Sequence, residues 1–260
     1  MLSIVTCSHR PDRLAAFHHH LRPLLADIPH ELIAITDATG LCEGYTRALH
    51  RSSGNLLLFC HDDIRFLSPN PFPTLLRHMQ SFDLLGVAGT SRLLGPHWGL
   101  ARPDFLFGQV AHPGKISPFE VAIYNAPARI IPNIQALDGL FLCFRRACIQ
   151  SIGWDAATFP GFHLYDLDAS YRAYLAGCKL AVACDIPLLH HSAGAYDDRW
   201  EHAGAAFIRK HRTSPVLKQP YLVPCGGVAV HTPEEALEVM TPPYWPAEPI
   251  VSPERTAVPC

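Results

Sequence analysis

The stretch FCHDDI, Phe59 to Ile64, ends the apolar run NLLLFC with a histidine and two carboxylates side by side. Like charges about 4 Å apart cost roughly 4 kcal/mol at an effective dielectric of 20. Solvent, a basic partner or a cation must offset that repulsion. Oxygen ligands suit Mg²⁺ or Mn²⁺, and such sites complete their shell with substrate phosphates. Asp62 and Asp63, with His61 beside them, are therefore candidates for a cation that carries a diphosphate. The competing reading is a strand-end turn with two solvated acids.

Three other constellations carry chemistry. In YDLDASYR, Tyr165 to Arg172, helical periodicity puts Leu164, Leu167, Tyr171, Tyr174 and Leu175 on one face. Asp168 and Arg172 form an i,i+4 pair at its edge, a structural arrangement. Asp166 lies away from that stripe in the first turn, where it can face a cleft as a general base. The helix dipole lowers the pKa of a first-turn acid, so burial has to push back. In LLHHSAG, His190 and His191 end an apolar run, and alternation sends the two rings to opposite faces. One of them can ligate a metal, and the sequence leaves open which. In LDGLF, Asp138 and Gly139 put an acid and a glycine inside an apolar strand, a sign of close ligand approach or a bulge.

The elements that position these residues are legible as apolar runs. LSIVT, ELIAITD, NLLLFC and DLLGVAGT read as strands, separated by helix-sized segments: one ending near Asp27, one from about Glu43 to Ser53, and PFPTLLRHMQSF. Apolar strands without alternation indicate an α/β fold, a mostly parallel central sheet with helices on both faces. Ligands in such sheets bind beyond the carboxyl ends of the strands, where Thr6 to Arg10, Asp37 and His61 to Asp63 all fall. Residues 91–135 mix prolines, glycines and aromatics, with strands at DFLFGQVA and FEVAIYN, and read as an insertion lining a cleft. LDGLFLCFRR, KLAVAC and PLLHHS read as further strands. GFHLYDLDASYRAYLAGC and DRWEHAGAAFIRKH read as helices. Ten prolines follow Ser214, which predicts an extended C-terminal segment without a regular core, anchored by Tyr244 and Trp245. The expected division is a domain over 1–212 and a Pro-rich tail over 213–260.

Composition excludes several classes. The 260 residues carry a formal net charge of −2 with no basic run, so a nucleic-acid footprint is absent from the sequence. No stretch approaches the roughly 18–20 apolar residues of a membrane span, and MLSIVTCSHRP lacks the charged leader of a secretory signal. Nine cysteines without a C-x-x-C pair point to buried thiols in a reduced, cytoplasmic protein. The triplet His18 to His20 reads as plain helix surface. A Pro-rich tail leaves a homo-oligomer open.

In order and spacing these pieces resemble a nucleotide-sugar glycosyltransferase of the GT-A fold, family 2-like, in the subgroup of the streptomycin-biosynthesis glycosyltransferase-like proteins. The resemblance runs from LSIVTCSHR to LLHHS through EGYTRAL, FCHDDI, LDGLFLCFRR and GFHLYDLDASYRAYLAG. It implies that Thr6, Ser8 and Arg10 lie near the nucleotide and that Asp37 contacts the base or ribose. His61, Asp62 and Asp63 occupy the place of the family's D-x-D motif, with Asp63 the first metal ligand and Asp62 on the ribose or a metal-bound water. Asp138 and Gly139 border the donor sugar and acceptor. Asp166 matches the aspartate of the E-D motif, the general base of inverting transfer. His190 or His191 stands near the diphosphate. Three residues depart from the pattern: His61 replaces the first acid of D-x-D, Tyr165 replaces the glutamate of E-D, and Thr46 stands where relatives have asparagine.

The implied chemistry is transfer of a sugar from a nucleoside-diphosphate sugar to an acceptor hydroxyl, assisted by Mn²⁺ or Mg²⁺. The acceptor is a glycan, a lipid-linked molecule, a protein or a small molecule. The alternatives are a metal-dependent phosphohydrolase or nucleotidyltransferase, and a non-catalytic nucleotide-binding module of the same fold.

Overall fold

A computed structural model describes residues 1–192, 196–213, 224–243 and 245. The first half alternates strand and helix: β1 (Leu2–Cys7), α1 (Pro11–Leu24), β2 (His30–Ile35), α2 (Leu41–Arg51), β3 (Leu56–Cys60), β4 (Ile64–Phe66), α3 (Pro71–His78), β5 (Leu84–Gly86) and β6 (Ala88–Thr90). Proline takes the first position of α1 and of α3, where its missing N–H is not needed. Then come β7 (Leu106–Pro113), β8 (Phe119–Asn125), β9 (Ile130–Pro132), β10 (Ala136–Leu137), β11 (Phe141–Arg145), α4 (Arg146–Ile152) and α5 (Tyr165–Leu175). The chain continues with β12 (Leu180–Ala183), β13 (Leu188–His190), α6 (Asp198–His211), β14 (Gly226–Val230) and α7 (Pro233–Met240).

The strands form two mixed sheets flanked by helices. The first has the order β2-β1-β3-β11-β5-β12-β9. Parallel pairing joins β1 to β2 and β3, and β12 to β5. Antiparallel pairing joins β11 to β3 and β5, and β12 to β9. The sheet is thus parallel only in part, because β11 enters between β3 and β5 against their direction. The second sheet has the order β10-β6-β7-β13-β4, with β8 on β7 and β14 on β8. The run DLLGVAGT, expected as one strand, divides between the sheets, β5 in the first and β6 in the second.

Pairing brings the functional segments to one place. β1 and β3 run in parallel, so Ser8 and Asp62 emerge side by side. Antiparallel pairing of Phe141 with Cys60 puts Asp138 to Leu140 beside His61, whose N–H donates to the Leu140 carbonyl at 3.2 Å. Pairing of His190 with Ile64 brings β13 to the same point. Beneath it lies an aromatic cluster, with Phe59 4.9 Å from Tyr45 and 5.0 Å from Trp154 between ring centroids.

Among the described residues of the C-terminal segment, 224–243 and 245, the chain is not without regular structure: β14 pairs with β8, and α7 adds Ala236 and Met240 to a small core with Ala111, Val121, Leu189 and Val230. Its prolines do not prevent this, since Pro233 sits at the start of α7 and β14 contains none. The Thr232 side chain caps α7 by accepting from the Glu235 N–H at 3.1 Å. Trp245 is buried, its indole N–H donating to the Ala126 carbonyl at 2.7 Å. Tyr244 lies outside the described residues. The histidine triplet is not plain surface either: His20 Nε2 accepts the Phe66 N–H at 2.9 Å.

The pair expected at Asp168 and Arg172 belongs to a larger network. Asp168, fully buried, accepts from Arg172 at 2.8 Å and His211 at 2.8 Å and lies 2.6 Å from the Lys210 ammonium. These contacts tie the end of α6 to α5. Removing one partner of a buried ionic cluster leaves the others uncompensated, at about 3 kcal/mol or more. Asp168→Asn should therefore lower the denaturant midpoint by an amount corresponding to about 3 kcal/mol; an unchanged midpoint would show that the network contributes nothing net.

Candidate active site at the end of β3

The two adjacent acids have different partners. Asp62 accepts from the Ser8 hydroxyl at 2.5 Å. Asp63, its side chain 5% exposed, turns toward His190, whose Nε2 is 3.4 Å away. Between them stands Arg13 of α1, one nitrogen 3.6 Å from Asp62 and 3.5 Å from Asp63. A basic partner therefore offsets part of the repulsion. Burial pushes the Asp63 carboxyl up, but hydrogen bonds from His190 and Ser192 and the two nearby imidazoles outweigh it. They hold the group well below the usual carboxylate range.

His61, Asp63 and His190 present three donor atoms to one point. His61 Nδ1 lies 3.3 Å from His190 Nε2 and 3.9 Å from Asp63 Oδ1. Burial, and then the neighbouring His190, lower the His61 pKa against the pull of the acids around it. The choice between the paired histidines resolves as alternation requires. His190 is buried and joins the cluster, while the exposed His191 contributes only its backbone N–H, to the Asp63 carbonyl at 3.0 Å.

A second pair of acids lies across from this cluster. α5 starts abruptly after Leu164, whose φ of 62° is left-handed, a conformation that costs a leucine roughly 1 kcal/mol or more. That turn sets Tyr165 and Asp166 against Gly139. A Cβ on Gly139 would sit 2.2 Å from the Tyr165 hydroxyl and 2.8 Å from Asp166 Cβ, so the close approach requires glycine. Asp138 is fixed by two donors, the Trp98 indole at 2.9 Å and the Leu140 N–H at 3.1 Å. Asp166 is only partly exposed. Burial, and next the charge of Asp138, push its carboxyl up to about 7, against backbone N–H groups of Leu167, Asp166 and Gly139. The pull of the helix start is real but smaller.

The expected nucleotide contacts divide. Ser8 joins the acid pair. Thr6 is buried between strands, its hydroxyl 3.8 Å from Cys60 Sγ. Arg10 pairs with Asp12 at the surface, and Asp37 pairs with Arg47 at 2.9 Å. Sequence reasoning missed Arg13 and Trp98. It also missed the His97–Tyr196 contact of 2.8 Å. The unmet charge of Asp62 and Asp63 was a signal for Arg13; nothing local announced the other two.

The raised pKa of Asp166 has a stability consequence. An aspartate in an unfolded chain titrates near 3.9. Between that value and about 7 the native protein holds a proton that the unfolded chain releases, so stability falls as pH rises through this window. Asp166→Asn removes the effect. The variant's melting temperature should exceed the native protein's by a margin that grows from pH 4 to pH 8; a margin independent of pH would contradict the environment described.

Comparison of the sequence with curated proteins returns no match. Among solved structures, the mannosyltransferase PcManGT from Pyrobaculum calidifontis, in complex with GDP-Man and Mn²⁺, aligns at TM-score 0.48 and 9% identity over 83% of this chain and 65% of that one. GalNAc-T7 with UDP, GalNAc and Mn²⁺ aligns at 0.48 and 12% identity, over 74% and 44%. S. aureus TarS in complex with UDP-GlcNAc aligns at 0.43 and 14% identity, over 75% and 59%. The chain spans less than two thirds of each of these three proteins. The sequence itself matches the Glycosyltransferase like family over residues 3–211. With the match covering most of its length, the chain belongs to the glycosyltransferase-like family.

Proposed function

We propose that this protein transfers a sugar from a nucleoside-diphosphate sugar to an acceptor hydroxyl, with inversion at the anomeric carbon, using a divalent cation held by His61, Asp63 and His190. The observation that carries the reading is the convergence of three cation-ligand atoms close to a carboxyl pushed up to about 7, in a chain of this family. The residues fit such an ion. Octahedral donors at about 2.1 Å from a metal stand about 3 Å apart; the His61–His190, His190–Asp63 and His61–Asp63 spacings are 3.3, 3.4 and 3.9 Å, so His61 and Asp63 have to close by a few tenths of an ångström or more on binding. Two imidazoles with one carboxylate suit a transition ion such as Mn²⁺ better than Mg²⁺, which takes almost entirely oxygen ligands. When bound, the ion supplies Lewis-acid stabilisation of charge on the departing diphosphate.

The remaining steps belong to side chains. Asp166 accepts the proton of the acceptor hydroxyl at a carboxylate oxygen. A base poised near neutrality combines a useful ionised fraction with real proton affinity. Burial, and next Asp138 held by Trp98, keep Asp166 in that range, and Asp138 borders the sugar with Gly139. Ser8 and Asp62 face the nucleotide, with Asp37 further along the strand ends. Residues 1–212 form the catalytic unit, and 91–135 shape the acceptor side. This reading places the reaction in the cytoplasm and leaves the acceptor class open among glycan, lipid-linked, protein and small-molecule hydroxyls.

Loss of general-base catalysis typically costs about 10²–10⁴-fold. Asp166→Asn should reduce sugar transfer by that factor while donor affinity, measured by calorimetry, stays within about twofold. A fully active variant would remove Asp166 from the chemistry. Equal nucleotide release with and without any acceptor would instead favour a hydrolase.

A further inference from the structure

Two of the residues that depart from the family pattern are His61, in place of an acid in D-x-D, and Tyr165, in place of the glutamate in E-D. They are 104 positions apart in the chain, and the structure puts them in contact, His61 Nε2 3.0 Å from the Tyr165 hydroxyl. We propose that the two residues act as one device, in which Tyr165 is a positioning residue that fixes the tautomer of His61 and aims its Nδ1 lone pair at the cation site. The proposal rests on the reading of His61, Asp63 and His190 as cation ligands.

Counting protons fixes the arrangement. The Tyr165 hydroxyl touches two groups, His61 Nε2 and, at 3.2 Å, the Gly139 carbonyl oxygen. A carbonyl oxygen can only accept, and a phenol has one proton to give. Both contacts are hydrogen bonds only if the phenol donates to Gly139 and accepts from an Nε2–H on His61. An imidazole that offers a lone pair to a cation carries a single N–H. With that hydrogen on Nε2, the lone pair is on Nδ1, the nitrogen that lies 3.3 Å from His190 Nε2 and 3.9 Å from Asp63 Oδ1. The opposite tautomer would point a hydrogen at the cation.

Tyr165 is well held for this task. The residue is 4% exposed, and its ring packs with Tyr45 at 5.7 Å and Trp154 at 6.2 Å between centroids. Gly139 leaves room for the hydroxyl, since the Cβ of any other residue there would stand 2.2 Å from it. Groups that hydrogen-bond the distal nitrogen of a ligand histidine fix its orientation, and their loss typically weakens metal affinity about 10–100-fold.

The test uses the full chain and Mn²⁺ alone. Tyr165→Phe removes one oxygen and leaves the packed ring. Mn²⁺ titration at a temperature where both proteins are folded, read from the free-ion paramagnetic resonance signal, should show affinity at least about 10-fold weaker than the native protein's. Independently, ¹⁵N–¹H correlation spectra of the metal-free native protein should show His61 as the Nε2–H tautomer, its signals identified by their loss in His61→Asn. Tyr165→Phe should shift that balance toward Nδ1–H. Native protein that binds Mn²⁺ while Tyr165→Phe binds it equally well, or a native His61 with its hydrogen on Nδ1, would overturn the role of Tyr165. Native protein that fails to bind Mn²⁺ would overturn the cation site itself, and the proposal with it.

Discussion

Two carboxylates on consecutive residues at the end of a buried strand constrain everything around them. Asp62 and Asp63 relieve their repulsion by turning to different partners and by sharing Arg13. That arrangement brings five chain segments together. Ser8 follows β1, Arg13 lies on α1, His61 precedes the acids, His190 ends β13, and Leu140 receives the His61 N–H. Ser8 and Arg13 are close in the chain, as are His61 to Asp63, but the N-terminal pair, the β3 end, Leu140 and His190 come from distant parts of the sequence. The cation site is therefore a property of the sheet pairing, and register errors in β11 or β13 would dismantle it.

A second balance operates at α5. The start of a helix favours an ionised acid, and Asp166 sits in the first turn. Burial and the fixed charge of Asp138 act in the other direction and win. Asp138 itself accepts from an indole N–H and a backbone N–H, which fix its side chain beside Asp166. Gly139 makes the two acids and Tyr165 neighbours by having no side chain of its own.

Much of this is legible in the sequence, and the limits have physical causes. The strands LSIVT, ELIAITD and NLLLFC announce themselves by unbroken apolar runs, and the polar residues just past them mark the functional end of the sheet. His61, Asp63 and Asp166 stand out as polar interruptions of apolar segments. Strand direction is not visible: LDGLFLCFRR reads the same whether β11 runs parallel or antiparallel, so the mixed character of the sheet stays hidden. DLLGVAGT cannot reveal that it serves two sheets, since both halves are equally apolar. In the C-terminal segment the number of prolines suggests irregular chain, but among the described residues Pro233 falls where a helix accepts it. T-P-E-E at Thr232 to Glu235 is a helix-capping signature with proline where a helix tolerates it. The choice between His190 and His191 needs only the phase of β13, and phase is fixed by pairing with β4. Partners such as Trp98 on Asp138 are tertiary and leave no local trace.

The proposed chemistry turns on His61, Asp63 and His190, whose three donor atoms could hold one divalent ion beside the diphosphate. The most direct measurement is anomalous diffraction at the manganese edge from crystals grown with Mn²⁺ and a nucleoside diphosphate. A single peak within bonding distance of His61 Nδ1, Asp63 Oδ1 and His190 Nε2, bridged to phosphate oxygens, is the predicted result. A nucleotide bound in the cleft with no manganese peak at these three atoms would contradict it.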